Sequence, residues 1–246
     1  MSAQLPMLIV QMGRPPHDVS EVLGEQPDWF LAALAPANLD VLVVRPHMGE
    51  PLPQPGSFAG AVVTGSWHMV TDLHDWSERT AEWIRQLVAA DVPLLGVCYG
   101  HQLMAHALGG LVGYHPRGRE LGLQTIRLLQ ESINDPLLAH IPGEFPALLT
   151  HAQTVLVKPP GAVVLGASDH DENQILRYGP NAFSIQFHPE FTPAIMSVCI
   201  QRRRTILEQE GAGVERLLLN LAPTPDAHAI LMKFATTAAQ VSADFR

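Results

Sequence analysis

Four short apolar runs constrain this chain more than any other feature. Met7–Gln11 (MLIVQ), Asp40–Arg45 (DVLVVR), Gly60–Thr64 (GAVVT) and Pro93–Val97 (PLLGV) are nearly continuous in hydrophobic residues. Successive side chains of a strand point to opposite faces, so a strand with one face in water must alternate, whereas an unbroken apolar strand needs cover on both. Between these runs lie segments of helical character, roughly Asp28–Leu34 and Ser77–Ala90. In the second, Ala81, Ile84, Leu87 and Val88 recur at helical spacing, and Ser77 is the expected N-cap. Strand–helix–strand alternation predicts an α/β fold: a single domain with a central, mostly parallel mixed sheet flanked by helices.

Beyond Tyr114 the pattern changes. Leu121–Leu129, Thr154–Lys158, Val163–Ala167 and Ala182–Phe187 read as strands, punctuated by Pro159-Pro160-Gly161 and Tyr178-Gly179-Pro180. They are expected to extend the sheet, partly antiparallel. A helix is expected from Pro193 to about Glu210, with Thr192 as N-cap and Pro193 at its first position. Gly211-Ala212-Gly213 ends it, and a last helical segment runs to about Gln240. The expected organisation is a domain over residues 5–192 with a helical extension, 193–246, packed on it.

Composition narrows the partners. Fifteen Lys and Arg against 24 Asp and Glu leave a net charge of −9, and Arg202-Arg203-Arg204 is the only compact basic run. Nucleic acid and anionic membranes are poor partners for such a surface, and the arginine run reads as a solvated helix face. Two cysteines are too few for a disulfide framework, and no apolar stretch nears the roughly 18 residues of a membrane span. The N-terminal stretch has neither the basic nor the long apolar part of a signal peptide. A soluble, cytoplasmic protein is expected.

The chemistry points to Pro93–Gly110 (PLLGVCYGHQLMAHALGG). A buried strand ends, Cys98 follows, and Gln102–Leu108 has helix-forming composition. Gly96 and Gly100 flank the cysteine two residues to either side, where side chains would clash on a sharp strand-to-helix turn. Composition alone would give G-x-C-x-G in about one such chain in a hundred, so the surrounding strand and helix carry much of the reading. At a helix N-terminus the macrodipole favours thiolate, and the Tyr99 N–H is free to receive an oxyanion. Cys199, among apolar residues of a helix, reads as core.

A cysteine nucleophile needs a base and a group that orients the base. In Ala182–Phe191 (AFSIQFHPEF), His188 and Glu190 follow a strand two residues apart, so they can share a face and Glu190 can accept the second ring proton of His188. An exposed turn with an incidental ion pair is the alternative. No metal is expected: His101 and His106 are five apart, His47, His68 and His74 lie in loops, and H-E-x-x-H and C-x-x-C do not occur. Neither a Walker-type loop nor G-x-G-x-x-G is present, and no cofactor is expected.

These residues resemble the class I glutamine amidotransferase family, particularly the glutaminase domain of GMP synthase and its free-standing relatives. Four blocks occur in the family's order: Ala61–Ser66 (AVVTGS), Gly96–Leu103 (GVCYGHQL), Thr150–Val155 (THAQTV) and Ile185–Glu190 (IQFHPE). The resemblance implies a flavodoxin-like amidotransferase fold and a Cys98–His188–Glu190 triad that cleaves the side-chain amide of glutamine through a γ-glutamyl thioester. It further implies an oxyanion hole of the Gly65, Ser66 and Tyr99 N–H groups. Gln102 and the backbone of Thr150, Ala152 and Gln153 would hold the amino-acid end of the substrate.

Three departures stand out. The oxyanion loop reads Gly65-Ser66-Trp67-His68 where the family is commonly Gly-Gly-Pro-rich, and Thr150-His151-Ala152-Gln153 replaces a Ser-His-Gly-Asp block, removing its carboxylate. No S-G-G-x-D-S pyrophosphatase loop follows, which implies a glutaminase whose synthetase, if it serves one, is a separate subunit; a homodimer is the other assembly considered. Two alternatives remain open: a cysteine hydrolase of γ-glutamyl peptides, and a non-catalytic thiol sensor or regulatory protein.

Overall fold

The computed structural model describes residues 5–244, with side chains through 241. The four apolar runs form β1 (Met7–Val10), β2 (Val41–Val44), β3 (Gly60–Val63) and β4 (Leu94–Val97), all parallel where they pair. Alternation is present but hidden, because both faces are apolar. Met7, Ile9, Val62, Leu95 and Val97 enter one core, and Leu8, Val10, Ala61, Val63 and Leu94 enter the other. The first core is closed by α2 (Gln26–Leu34) through Phe30 and Leu34 and by α8 (Pro225–Asp244) through Ile230, Leu231 and Phe234. The second is closed by α3 (Asp75–Ala89) and α4 (Tyr99–Ala107), using Ile84, Leu87, Leu103 and Met104. At about 25 cal/mol per Å², each such fully buried side chain contributes roughly 1.5–3 kcal/mol, so the two cores dominate the sheet's stability.

The later strands complete a nine-stranded mixed sheet in the order β2-β1-β3-β4-β11-β10-β9-β6-β7. Here β6 is Glu120–Leu128, β7 Glu144–His151, β9 Val163–Ala167, β10 Ile175–Arg177 and β11 Ala182–Ile185. Strand β11 lies parallel to β4, and β10, β9, β6 and β7 add an antiparallel arm. A third apolar cluster fills the end of the molecule beside β6 and β7. It joins Val19 of α1 (His17–Leu23) to α5 (Pro193–Arg202), α6 (Arg204–Gln209) and α7 (Val214–Leu219), with Trp29 and Phe191 between them.

Three expectations need correction. The run read as Thr154–Lys158 is β8 (Gln153–Val157), and it pairs with β5 (Leu111–Tyr114) in a separate two-stranded ribbon instead of extending the sheet. Ser77 does not cap α3, which begins two residues earlier after His74; its hydroxyl is buried, 2.6 Å from the Tyr99 hydroxyl. The helix after Thr192 is capped as expected, Thr192 Oγ1 accepting from the Ile195 N–H, but it breaks at Arg203 into α5 and α6. Arg202 and Arg204 reach outward to Asp18 and to Glu208 and Glu215, while Arg203 turns inward over Trp67.

Candidate active site

Three adjacent parallel strands, β3, β4 and β11, deliver their carboxyl ends to one place, which is where open α/β sheets form ligand crevices. Register does this directly: Val97 stands beside Ile185, and the Cys98 N–H donates to the Ile185 carbonyl at 2.9 Å. Cys98 therefore lies one residue beyond β4 and His188 three residues beyond β11. The His188 N–H donates to the Leu148 carbonyl of β7 at 2.9 Å, which fixes this segment from the other side.

Cys98 has φ 52° and ψ −100°. A non-glycine residue in that region costs about 1–3 kcal/mol and persists only where its surroundings enforce it. The flanking glycines are part of that enforcement. A Cβ on Gly96 would lie 2.5 Å from the Gly100 carbonyl oxygen, and one on Gly100 would overlap the Val63 carbonyl. Helix α4 is thereby pressed against β3 and β4, and the sulfur is held at the helix N-terminus. The Tyr99 side chain plays a structural part: burial pushes its pKa up to about 12, and it stacks on Trp76.

His188, Glu190 and Cys98 are each more than nine-tenths buried. His188 Nδ1 donates to Glu190 Oε1 at 2.8 Å, so Nε2 is the nitrogen turned away from the carboxylate. Nε2 is enclosed, with no acceptor or donor in good hydrogen-bond geometry among the described residues. Burial alone would push the His188 pKa down. The charges of Glu190 and of the Cys98 sulfur, with the bond to Glu190, outweigh it and push the value up to about 10. Phe191 supports the ring from one face, its centroid 3.9 Å away and its plane tilted 19°. The F-H-P-E-F pattern was visible in sequence, yet nothing there distinguished a stacking Phe from a core Phe.

Gly65 closes the site from β3. A Cβ there would stand 2.9 Å from His188 Cε1 and 3.6 Å from Cys98 Cβ, so the imidazole and the cysteine both border one point at this glycine. Gly65→Ala is expected to displace His188 and to cut turnover of whatever substrate this site processes by about 100-fold, the usual cost of an ångström-scale misplacement. Melting temperature should change little; an active Gly65→Ala protein would contradict this arrangement. Ser66 replaces the family's glycine-rich shape with a side-chain turn, its Oγ accepting the His68 N–H at 3.0 Å. None of the hydrogen bonds among the described residues uses the N–H groups of Gly65, Ser66 or Tyr99.

Gln102 lies inside the site wall, its amide donating to the Gln153 carbonyl at 2.6 Å and to Gln186 Oε1 at 2.9 Å. It thus ties α4 to the turn between β7 and β8 that contains Ala152. Thr150 is on β7 with its hydroxyl enclosed and unpartnered, and the Ala152 carbonyl accepts from the His115 N–H at 3.0 Å. Gln153 reaches Thr71 through its side-chain amide at 2.6 Å. Beneath the turn, His151 bonds Glu120 at 2.9 Å and the Gln153 carbonyl at 2.9 Å, a buried support that sequence reasoning passed over. The other cysteine, Cys199, is fully buried in the third cluster, and burial pushes its pKa up to about 11.

Two side-chain groups among the described residues bring possible metal ligands within 4.8 Å of one another: His68–Asp72–His74 at the surface and buried Glu120–His151–Asp171. In the buried group the donors already serve protein hydrogen bonds, including Ser168 and Gln174 to Glu120 and Thr154 to Asp171.

The fold and this arrangement define the class: an α/β protein with a cysteine on a strained strand-to-helix turn and a histidine–carboxylate pair at the next strand end. A model of the class-I glutamine amidotransferase family matches residues 30–203, and the chain belongs to that family. Gamma-glutamyl peptidase 5 of Arabidopsis thaliana is 28% identical over 159 residues, a stretch that spans 63% of this chain and 63% of that protein's own length. A subunit of the glutamine-hydrolysing GMP synthase of Saccharolobus solfataricus is 30% identical over 152 residues, covering 61% of this chain and 76% of the other. A glutamine amidotransferase from Thermotoga maritima shares the fold with TM-score 0.76 at 19% identity, over 97% of this chain and 99% of that one.

Proposed function

We propose that this chain hydrolyses the side-chain amide of glutamine or of a γ-glutamyl amide, with Cys98 as nucleophile, His188 as acid and base, and Glu190 as the group that orients His188. The observation that carries this reading is the enforced positive φ of Cys98 beside a buried imidazole whose far nitrogen bonds Glu190 at 2.8 Å. The Cys98 sulfur attacks the amide carbon, and the C–N bond breaks as His188 gives its proton to the leaving nitrogen. Water, deprotonated by His188, then cleaves the γ-glutamyl thioester to release glutamate. The N–H groups of Gly65, Ser66 and Tyr99 receive the oxyanion. Gln102 and the backbone at Thr150, Ala152 and Gln153 take the amino-acid end, Gln102 being already braced against that turn.

Kinship to GMP synthase subunits supports ammonia release to a separate synthetase, and kinship to γ-glutamyl peptidases supports hydrolysis as an end in itself. We place the reaction in residues 5–192, with the helices after Thr192 as an extension of the same unit that holds Phe191 and Trp67. A purified-protein screen of glutamine and γ-glutamyl amides for released glutamate tests the proposal, alone and with candidate synthetases.

The His188 environment sets the pH dependence. A raised pKa means the imidazolium's stabilisation is complete below its ordinary 6.5 and is lost as pH rises through about 10. The alkaline limb of kcat/KM is therefore expected near pH 10, and Glu190→Gln should move it downward. A wild-type limb near the ordinary histidine value would contradict the assignment.

A further inference from the structure

Of the twelve histidines in the chain, three gather around one indole. The rings of His47, His68 and His74 have their centroids 6.2, 5.5 and 5.5 Å from that of Trp76, with His74 stacked on it at 14° and the other two edge-on. His68 and His74 also meet edge to face, their ring centroids 4.9 Å apart. Sequence placed all three in loops, and the fold brings the loops after β2 and β3 together. Between His68 and His74 the chain reverses through a single 3₁₀ turn, Val70–Asp72, followed by Leu73 at φ 50°. A non-glycine residue at that φ is uncommon and marks an enforced conformation.

The reversal gathers donors as well as rings. A ring nitrogen of His68, one of His74 and a carboxylate oxygen of Asp72 lie within 4.8 Å of one another, and His74 Nε2 stands 3.8 Å from Asp72 Oδ2. Ligands of one tetrahedral zinc ion, at bonds of about 2.0–2.2 Å, stand roughly 3.4 Å apart, so small rotations of these surface side chains close the set. Asp72 Oδ2 also accepts the Met69 N–H at 3.1 Å, the kind of outer bond that orients a ligating carboxylate. The ring nitrogens of His68 and His74 take part in none of the hydrogen bonds among the described residues, whereas the buried Glu120–His151–Asp171 group uses its donors within the protein. Two imidazoles and one carboxylate suit zinc and its divalent transition neighbours, while magnesium and calcium take oxygen ligands.

We propose that His68, Asp72 and His74 bind one divalent transition ion of the zinc type, and that this ion braces the loop after β3. The inference goes beyond amide hydrolysis and does not depend on it. His68 lies three residues after Gly65, and its N–H donates to Ser66 Oγ at 3.0 Å. Asp72 belongs to the turn whose Thr71 hydroxyl accepts from the Gln153 side-chain amide at 2.6 Å. His74 stacks on Trp76, and Trp76 stacks in turn on Tyr99, the residue after Cys98. An ion that joins the three side chains therefore couples the Gly65-Ser66 turn to the Gln153 turn and to the start of α4. Three protein ligands leave the fourth position of a tetrahedral ion to water.

Calorimetric titration of the Cys98→Ala protein with Zn²⁺ alone tests the site without a contribution from that thiol. One ion per chain should bind, and excess Mg²⁺ should not displace it. His68→Ala, Asp72→Asn and His74→Gln, each added to that protein, should weaken binding at least about tenfold, because loss of an outer-shell partner alone costs about 10–100-fold. Asp72→Asn is isosteric and keeps the test valid should a histidine variant fail to fold. Backbone amides of residues 65–74 should exchange hydrogen more slowly with Zn²⁺ present, and should not do so in the His74→Gln protein. Absence of binding overturns the proposal, as does binding that survives loss of both histidines, which would place the ion elsewhere. Binding at this site without slower exchange overturns the bracing. Binding by a wild-type protein that cleaves no amide removes only the hydrolysis, whereas amide cleavage by a protein that takes up no Zn²⁺ removes only the metal site.

Discussion

Cys98→Ala protein is expected to release no measurable glutamate from any amide that the wild type cleaves, a loss of at least about 10⁴-fold in kcat/KM. The size follows from the mechanism: without sulfur no thioester forms, and the oxyanion donors act on a carbonyl that nothing attacks. Binding should survive, because the residues proposed to hold the glutamyl end lie on α4 and on the turn after β7. Stability should survive as well. The turn is enforced by Gly96 against Gly100 and Met104 and by Gly100 against Val63, and the substitution leaves all of these contacts in place. Residual turnover within tenfold of wild type would remove Cys98 from the chemistry.

The second large effect concerns folding. Gly100→Ala places a methyl group on the Val63 carbonyl, a backbone atom of a central strand that cannot retreat without breaking β3 from β1 or β4. Destabilisation of about 3 kcal/mol or more is expected, enough to lower the melting temperature by several degrees or to leave the chain insoluble. Gly161→Ala is the instructive contrast. It replaces a glycine of positive φ, but nothing lies within 4 Å of the new methyl, so its cost should be confined to backbone strain of about 1 kcal/mol. Equal melting temperatures for the two variants would show that the close approach of α4 to β3 is not what holds the turn.

Much of this architecture was legible because its determinants are local. The continuous runs of β1, β3 and β4 revealed a doubly covered sheet, and G-x-C-x-G marked a turn that only glycines permit. His188 and Glu190 drew attention because they follow a strand two residues apart; β11 ends at Ile185, so it is the turn beyond it, not a strand face, that brings the ring nitrogen and the carboxylate to 2.8 Å. What escaped the sequence depends on distant partners. Strand β7 carries Pro146 in its middle, which argues against a central strand; it is tolerated because β7 lies at the sheet's edge. Strand β8 has the same character as its neighbours, and only its pairing with β5 reveals that it leaves the sheet. Ser77 has the chemistry of an N-cap, but the Tyr99 hydroxyl takes it into the interior.

The arginine triplet shows the same limit. Three adjacent cations read as one solvated face, and a helix break at Arg203 sends the middle one the opposite way from its neighbours. Phe191 and the His151–Glu120 pair are similar cases. Both lie beside recognisable motif residues, and their roles in holding His188 and the Gln153 turn arise from contacts across 31 residues of sequence or from ring stacking.

The central claim is that the Cys98 sulfur carries the glutamyl group with His188 as its partner. Rapid acid quenching of enzyme mixed with an activated γ-glutamyl amide, followed by peptide mass spectrometry, tests it most directly. The predicted result is a γ-glutamyl adduct on the peptide containing Cys98, absent from Cys98→Ala and slow to form in His188→Ala. Glutamate release with no adduct on that peptide, or an adduct on Cys199 instead, would contradict the account.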